Sequence, residues 1–196
     1  MYSGEELIPR LRELYRLMDA AYTAVAEEVG FSCEGCDGVA CCTVDVTLHT
    51  FAEMLYLRRG FNTLDMSRQL EVLGRARAIV KAKEDDPSGD FYRNAVCAVN
   101  FDGQCSLYEY RPMICRLAGI RHVFAKPDSS TVESVGCPRF ETEIGPAHPD
   151  VILDRTGFYR KMAEIELAVV HILGKRTNPR TISEALGLEE TDGYFP

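Results

Sequence analysis

AVCAVNFDGQCSLYEYRPMICR, residues 95–116, decides the fold class, because it interrupts a chain whose other apolar residues follow helical spacing. Asp102-Gly103 tolerates the positive φ angles of a tight turn, so we expect two short strands on either side of it. Cys97 and Cys105 then lie on opposite arms of a hairpin. The sequence therefore predicts a small β element in the middle of the chain.

A short helix and a second hairpin are predicted directly after this stretch. Arg111-Pro112 pre-sets the backbone for a first helical turn, so residues 113–116 (MICR) can form a short helix that carries Cys115. Residues 120–124 and 131–135 are rich in β-formers and flank a turn-forming segment, which is typical of a hairpin. The middle of the chain is thus hairpin-rich and bears cysteines.

Outside the middle, apolar residues at steps of three and four predict four amphipathic helices. They cover about residues 11–29, 50–60, 64–83 and 150–174. The apolar face of the third helix is expected to consist of Met66, Leu70, Leu73, Ala76 and Val80.

Capping residues mark the ends of these helices. Thr50 and Glu53 have the spacing of a capping box, in which each side chain satisfies the other's backbone amide. Gly30, Gly60 and Gly174 are expected to end the helices that precede them, because glycine adopts the left-handed conformation of a C-cap at no steric cost.

The predicted fold class is α+β and mainly helical, with about four amphipathic helices around a small hairpin-rich, cysteine-bearing middle. The 196 residues are 46% hydrophobic, which suffices for one core. We therefore expect a single domain over residues 1–196, with residues 180–196 as a tail.

The charge and the hydropathy of the chain predict which classes of partner it does not bind. The formal net charge is -8, and the basic residues are scattered, so no face suits a phosphate backbone and no nucleic-acid partner is expected. The N-terminus alternates charged and apolar residues and lacks both a signal peptide and a membrane span. We expect no membrane association and a cytoplasmic location. A protein partner is not predicted.

FSCEGCDGVACC, residues 31–42, holds four of the eight cysteines. Cys33 and Cys36 are separated by two residues, the spacing at which one turn directs two sulfurs at a common ion. Because cytosolic thiols are kept reduced, such a set is more typical of metal binding than of disulfides. The further candidate ligands are Cys41, Cys42, Cys97, Cys105, Cys115 and Cys137.

The spacing leaves the metal and the number of sites open. Adjacent residues such as Cys41 and Cys42 direct their side chains differently, so either one of them is spare or two sites exist. Eight thiols can complete two sites of four, and both zinc and iron-sulfur clusters favour thiolate ligands.

Cysteines also serve packing, redox and nucleophilic roles. A cysteine can simply pack as a small hydrophobe, and Cys97, within AVCAV, best fits that role. A redox function of Cys33 and Cys36 is disfavoured because the pair follows a helix rather than a strand. No local signature indicates a cysteine protease, and no histidine is assigned to the site.

The ordered cysteines and the segment CSLYEYRPMICR, residues 105–116, resemble the YkgJ-like cysteine-cluster (CxxCxxCC) family of bacteria and archaea. That family is described as a zinc- or iron-chelating domain, and flagellin lysine N-methylases belong to it. The resemblance covers about residues 33–137. Residues 37–40 place four residues before the cysteine pair where the family usually has two, and Ala98 follows Cys97 where proline is frequent.

The resemblance implies that all eight cysteines serve a metal, although it leaves open whether Cys41 or Cys42 is the ligand. It also implies cofactor-binding roles for three neighbours. Arg116 would offset thiolate charge or hold a carboxylate. Tyr108 would donate toward a sulfur or pack in the core, and Arg111 would shape the turn before Cys115.

These observations predict a metal-binding protein whose loop cysteines bind an iron-sulfur cluster or zinc, with the metal centre contributing to folding. The cluster is favoured because the chain has no second Cys-x-x-Cys pair. One alternative is a protein methyltransferase similar to flagellin N-methylases, although no glycine-rich cofactor loop supports it. The other is a structural zinc module for protein interaction. Whether the protein is an enzyme stays open.

Overall fold

The computed structural model describes residues 4–33, 42, 47–86, 88, 95–174, 176 and 178–187. The helices are α1 (Gly4–Glu28), α2 (Phe51–Phe61), α3 (Met66–Asp85), α4 (Met113–Arg116), α5 (Thr156–Leu173) and α6 (Ile182–Gly187), with a 3-10 turn at Tyr108–Tyr110 and a π-helical turn at Phe140–Ile144. The strands are β1 (Asn100–Phe101), β2 (Gln104–Cys105), β3 (His122–Ala125), β4 (Thr131–Ser134) and β5 (Leu153–Asp154). The predicted mainly helical α+β class is confirmed. None of the helices in the described ranges combines the length and apolar composition needed to cross a bilayer.

The chain divides into two compact units. Unit 1 comprises residues 1–36 and 113–176, and unit 2 comprises residues 37–112 and 177–196. Each unit is therefore built from two separate stretches of chain.

The core of unit 1 forms where α1 packs against α5. Buried residues at helical spacing line both helices, and they are Leu7, Leu11, Leu14 and Met18 from α1 and Met162, Ile165, Ala168 and Val169 from α5. The helix α1 begins at Gly4, earlier than the predicted start at residue 11, because Leu7 extends the buried stripe by one turn.

A three-stranded sheet completes unit 1. Strand β3 pairs antiparallel with β4 and parallel with β5, with Val123 opposite Glu133 in β4 and Asp154 in β5. The second predicted hairpin is confirmed, and Ser129 takes a left-handed φ of 66° in its turn. The sequence analysis missed β5, since two residues are too short to show an alternating pattern.

In unit 2, α3 packs against the short helix α6. The contact is close because Gly187 has no side chain, and a Cβ there would lie 2.9 Å from the backbone of Ala76. Arg58 of α2 also donates to the carbonyl of Ala185 at 3.2 Å, and Lys83 pairs with Glu184. A buried helix therefore occupies residues 182–187, where the sequence analysis expects a tail.

The predicted hairpin of unit 2 is confirmed, with strands of two residues each. Asp102 and Gly103 have φ angles of 53° and 80°, which is the turn that the dipeptide predicts. The guanidinium groups of Arg68 and Arg75 lie 3.8 and 3.9 Å from the ring centroid of Phe101. These two contacts fix the hairpin on α3.

The predicted helix ends are confirmed at three places. The amide of Thr50 donates to Glu53 Oε2 at 2.8 Å, and the amide of Glu53 donates to Thr50 Oγ1 at 3.4 Å, so the capping box is formed. Gly30 and Gly174 follow α1 and α5 with φ angles of 66° and 68°.

The prediction that Gly60 ends its helix is wrong. The helix α2 continues to Phe61 and is capped by Asn62. Gly60 is buried beneath the Tyr110 ring, and a Cβ there would lie 2.8 Å from Tyr110 Cβ and closer still to two ring carbons. This glycine therefore serves close packing rather than helix termination.

The predicted apolar face of α3 is also wrong in part. The buried residues are Val72, Ala76 and Ile79, whereas Met66 and Leu70 are 78% and 65% exposed. Packing against α6 buries the stripe of α3 that contains Ala76, whereas Met66 and Leu70 lie outside that stripe.

Candidate metal centre

Six of the eight predicted cysteine ligands lie in the described part of the chain, and Cys36 and Cys41 lie outside it. Cys33 is exposed and Cys97 is buried, while the other four (Cys42, Cys105, Cys115 and Cys137) are half-buried. None of the six belongs to α1, α2, α3 or α5. Cys33, Cys97 and Cys137 lie on loops, Cys105 on a hairpin and Cys115 on the short helix α4, while Cys42 is in helical conformation.

Cys33 lies against the last turns of α1. Its Sγ is 3.8 Å from the hydroxyl of Tyr22, a residue of α1. The same hydroxyl touches the loop at Gly119, where an added Cβ would lie 2.6 Å from it. Gly119 has a φ of 115°, a conformation that glycine adopts without strain.

Cys137 contacts the same loop from the other side. Its amide donates to the Gly119 carbonyl at 2.8 Å. Its Sγ accepts a hydrogen bond from the amide of Phe140 at 3.4 Å, because the chain turns into a helical segment directly after Pro138. The ring of Phe140 packs edge-on against Phe31 with centroids 5.2 Å apart. Cys33 and Cys137 are thus both anchored around Gly119.

Cys115 is carried by α4, which packs against α1. Its neighbour Arg116 is buried, donates to Asp19 Oδ2 at 2.7 Å and lies 4.2 Å from the ring centroid of Tyr15. Arg116 therefore holds a carboxylate, one of the two roles that the sequence analysis considers for it. Because Asp19 and Tyr22 are one turn apart, Cys115 is fixed at the part of α1 that Cys33 contacts.

Cys42, Cys97 and Cys105 are connected through the backbone of unit 2. The amide of Cys97 donates to the Cys42 carbonyl at 2.6 Å, and the Cys97 carbonyl accepts from the amide of Asn100 at 2.9 Å. Asn100 is the cross-strand partner of Cys105. This chain of backbone contacts gathers the three cysteines at the base of the hairpin.

Tyr108 and Arg111 contact each other. The Arg111 guanidinium lies 3.5 Å from the Tyr108 ring centroid, and Arg111 Nε donates to the Tyr108 carbonyl at 2.9 Å. The Tyr108 side chain is 57% exposed, so the alternative that it packs in the core is wrong. The apolar neighbours of Tyr108 in sequence do not reveal this stacked pair.

Two histidines are held in their neutral form. Burial lowers the pKa of His49 to about 4. Burial and the nearby positive charge of Arg155 lower the pKa of His122 to about 4. Arg155 is itself buried, donates to the Leu117 carbonyl, and has its pKa lowered to about 10 by desolvation. Sequence analysis leaves both histidines out of the site.

Within the described ranges, no three histidine, cysteine, aspartate or glutamate side chains form a group that could hold a metal ion. Thiolates are nevertheless the ligand type that soft metals such as zinc and iron-sulfur clusters prefer. The sulfur of Cys137 also accepts an amide hydrogen bond, a contact that tunes metal-bound thiolates.

No protein-family model, no curated protein and no solved structure matches this chain. The resemblance to the YkgJ-like cysteine-cluster family therefore stays a prediction.

Proposed function

We propose that this protein binds a metal through its loop cysteines, as an iron-sulfur cluster or zinc. The observation that carries the proposal is the placement of the six described cysteines outside the long helices, with only Cys97 among them buried. Cysteines that serve packing are normally among the most buried residues of a protein. Accessible thiols on loops anchored to helices instead suit a shared ligand.

The contacts of two sulfurs support the same proposal. The hydroxyl of Tyr22 lies 3.8 Å from Cys33 Sγ, and the amide of Phe140 donates to Cys137 Sγ. Hydrogen bonds to sulfur are contacts that orient and tune the thiolate ligands of metal sites. Packing alone requires no such donor.

The proposed ligands are Cys33, Cys36, Cys41, Cys42, Cys97, Cys105, Cys115 and Cys137. Bound zinc would cross-link the loops, and a bound cluster would also accept an electron. Arg116 would affect the charge of the metal centre from a distance and would not contact the thiolates, because its guanidinium is held by Asp19. We also propose membership of the YkgJ-like family and a cytoplasmic location, where reduced thiols are available for metal.

The test is metal and acid-labile sulfide analysis, with an optical spectrum, of protein purified anaerobically without a metal-affinity tag. Iron with matching sulfide would establish a cluster. Zinc without sulfide would establish the zinc form and favour a structural role. Protein that contains neither, and that does not take up either after reduction, would contradict the proposal.

A further inference from the structure

Arg155 is a buried cation in unit 1, and no carboxylate in the described part of the chain is among the groups that act on its charge. It directly precedes α5, and its amide donates to the Val123 carbonyl at 2.8 Å, which fixes the residue on strand β3. The adjacent carboxylate of Asp154 interacts with Thr156 and Arg160 instead. A buried charge without a partner is costly, so its retention at 2% exposure requires an explanation.

The guanidinium of Arg155 also has an unused donor. An arginine carries five N–H donors in a planar fork, and two of them can bind the two oxygens of one carboxylate or phosphate group. One terminal nitrogen of Arg155 donates to the Leu117 carbonyl, whereas Nε finds no acceptor among the described residues. Buried donors of this kind are rare in folded proteins. Nε is therefore available for an acceptor from outside the described chain.

Three polar side chains lie near this guanidinium. Burial lowers the pKa of Arg155 to about 10, and the hydroxyls of Tyr159 and Tyr22 act on it in the opposite direction. Arg155 and burial keep His122 in its neutral form, in which the imidazole still carries one N–H donor. The ring of Tyr159 is held against Phe124 with centroids 4.4 Å apart. The described cluster thus combines one cation with three neutral groups that can donate hydrogen bonds.

The cluster extends to the surface, although Arg155 itself is buried. Tyr22, His122 and Tyr159 are each half-buried. The hydroxyl of Tyr22 lies 3.8 Å from the sulfur of Cys33, which is exposed. A rotation of the Tyr22 or His122 side chain would therefore open a path from solvent to the guanidinium. Because the cation is buried, only a small ligand or the end of a larger one fits against it.

We propose that Arg155 is the centre of a binding site for a small oxyanion, a carboxylate or a phosphate group, and that Tyr22, Tyr159 and His122 complete this site with hydrogen bonds. The guanidinium supplies the positive charge and the fork of donors that both kinds of oxyanion fit. The three neighbours add donors without adding charge. The site contains no cysteine, so it does not depend on the proposed metal binding.

Calorimetric titration with inorganic phosphate and with acetate tests the proposal, at fixed ionic strength and with chloride as the comparison anion. We expect one of the two to bind saturably and at least about tenfold more tightly than chloride, because chloride cannot accept two parallel N–H bonds. A preference for phosphate would identify a phosphate group as the ligand, and a preference for acetate would identify a carboxylate.

Substitutions then test whether the anion binds at Arg155. Arg155→Met replaces the guanidinium with an apolar chain and should weaken binding by about tenfold or more. Arg160→Met is the matched control, because it removes an exposed arginine from α5 and should change the affinity by less than about twofold.

A second variant and a thermal melt separate loss of the site from loss of the fold. Tyr159→Phe keeps the ring that packs on Phe124 and removes only the hydroxyl, so it should fold normally and bind the anion several-fold more weakly. The anion should raise the melting temperature of the wild type and leave that of Arg155→Met unchanged, because a ligand stabilises only a folded state that binds it.

Three outcomes would overturn the proposal. They are the absence of saturable binding of phosphate and acetate, binding no tighter than that of chloride, and equal affinity of the wild type and Arg155→Met. The metal and sulfide content of the same preparations is measured separately. A failure of the oxyanion site would therefore leave the proposed metal binding untouched, and the reverse also holds.

Discussion

Gly60 has no side chain, and this absence allows Tyr110 to pack directly against α2. We expect Gly60→Ala to lower the free energy of unfolding by about 1–3 kcal/mol, because the new methyl group would overlap the Tyr110 side chain. Tyr110 is held in its 3-10 turn and cannot move away without moving the backbone. Urea denaturation measures the change.

Gly74 provides the matched control within another helix. It is exposed in α3, and a Cβ there would contact nothing within 4 Å. Gly74→Ala should therefore raise the free energy of unfolding by about 0.5–1 kcal/mol through helix propensity alone. If both variants changed stability in the same direction, the packing explanation for Gly60 would fail.

His49 makes the stability of the protein depend on acidity. Its pKa is about 4 in the folded protein, below the ordinary value of 6.5, because the imidazole is buried. Protons therefore bind more tightly to the unfolded chain, so the stabilisation is complete above pH 6.5 and is lost as the pH falls toward 4. For this residue the loss between pH 7 and pH 5 amounts to about 2 kcal/mol.

We expect His49→Gln to reduce the acid-induced loss by that amount, as measured by urea denaturation at the two pH values. The comparison uses the difference between pH values, so any uniform cost of the substitution cancels. His171→Gln, an exposed position on α5, serves as the control. An unchanged loss in the His49 variant would show that burial of this imidazole does not govern the acid response.

At the scale of single residues, the sequence predicts what a residue does to its own backbone. Gly30 and Gly174 are predicted correctly because the left-handed conformation is a local property of glycine. Gly60 is mispredicted because its partner, Tyr110, is distant in sequence and no local pattern reveals it. The Tyr22 contact with Cys33 is missed for the same reason.

The attachment of α4 to α1 depends on the pair formed by Arg116 and Asp19. The side chain of Arg116 is 4% exposed, so removing its charged partner leaves a buried cation with less compensation. We expect Asp19→Asn to lower the free energy of unfolding by about 1–3 kcal/mol.

The pair formed by Arg16 and Glu13 lies on the same helix and is the matched control. Its side chains are 65% and 56% exposed, and surface pairs of this kind contribute little to stability because solvent screens them. Glu13→Gln should therefore have almost no effect in the same denaturation experiment. If Asp19→Asn and Glu13→Gln lowered the free energy of unfolding equally, the ion pair with Asp19 would not be what stabilises the buried Arg116.

At the scale of helices and strands, the sequence predicts features that short stretches of residues encode. It does not predict which face of a helix another element covers. The capping box at Thr50 and both hairpins are short-range patterns and are confirmed. The helix α6 was missed although Thr181 and Glu184 form a capping box at its start, because its six residues are too few to show helical periodicity and it is stabilised by packing against α3. The buried stripe of α3 was misplaced because packing against α6, not the spacing of apolar residues, determines what is covered.

For the whole molecule, the proposed metal binding predicts that removal of the bound metal lowers the melting temperature. A ligand at 1,000 times its dissociation constant stabilises the folded state by about 4 kcal/mol, and in a protein of this size each kcal/mol corresponds to roughly 2–4 °C. Chelation under reducing conditions should therefore shift the melt by about 10 °C, as followed by circular dichroism.

Adding zinc back after the chelator has been removed controls for damage by the treatment and should restore the original melt. If the melting temperature does not change after elemental analysis has verified loss of metal, the metal does not contribute to folding. That result would still permit a metal that binds to an already folded site.

The candidate ligands can be proposed from sequence because cysteine is chemically distinctive, but which of them lie in the same unit cannot. The spacing at residues 31–42 leaves open whether these cysteines serve one site or two. The structure assigns Cys33 to unit 1 and Cys42 to unit 2. Which thiols share a unit depends on how two discontinuous stretches of chain combine, and no spacing rule encodes that.

Because unit 1 is built from two separate stretches of chain, the ribosome synthesises its two parts at different times. Cys33 and Cys137 are separated by about 100 residues, which a ribosome takes about 5–20 s to synthesise. Residues 37–112 of unit 2 are made between the two stretches of unit 1, and residues 177–196 of unit 2 are made last. Unit 1 can therefore be completed before the last stretch of unit 2 has emerged.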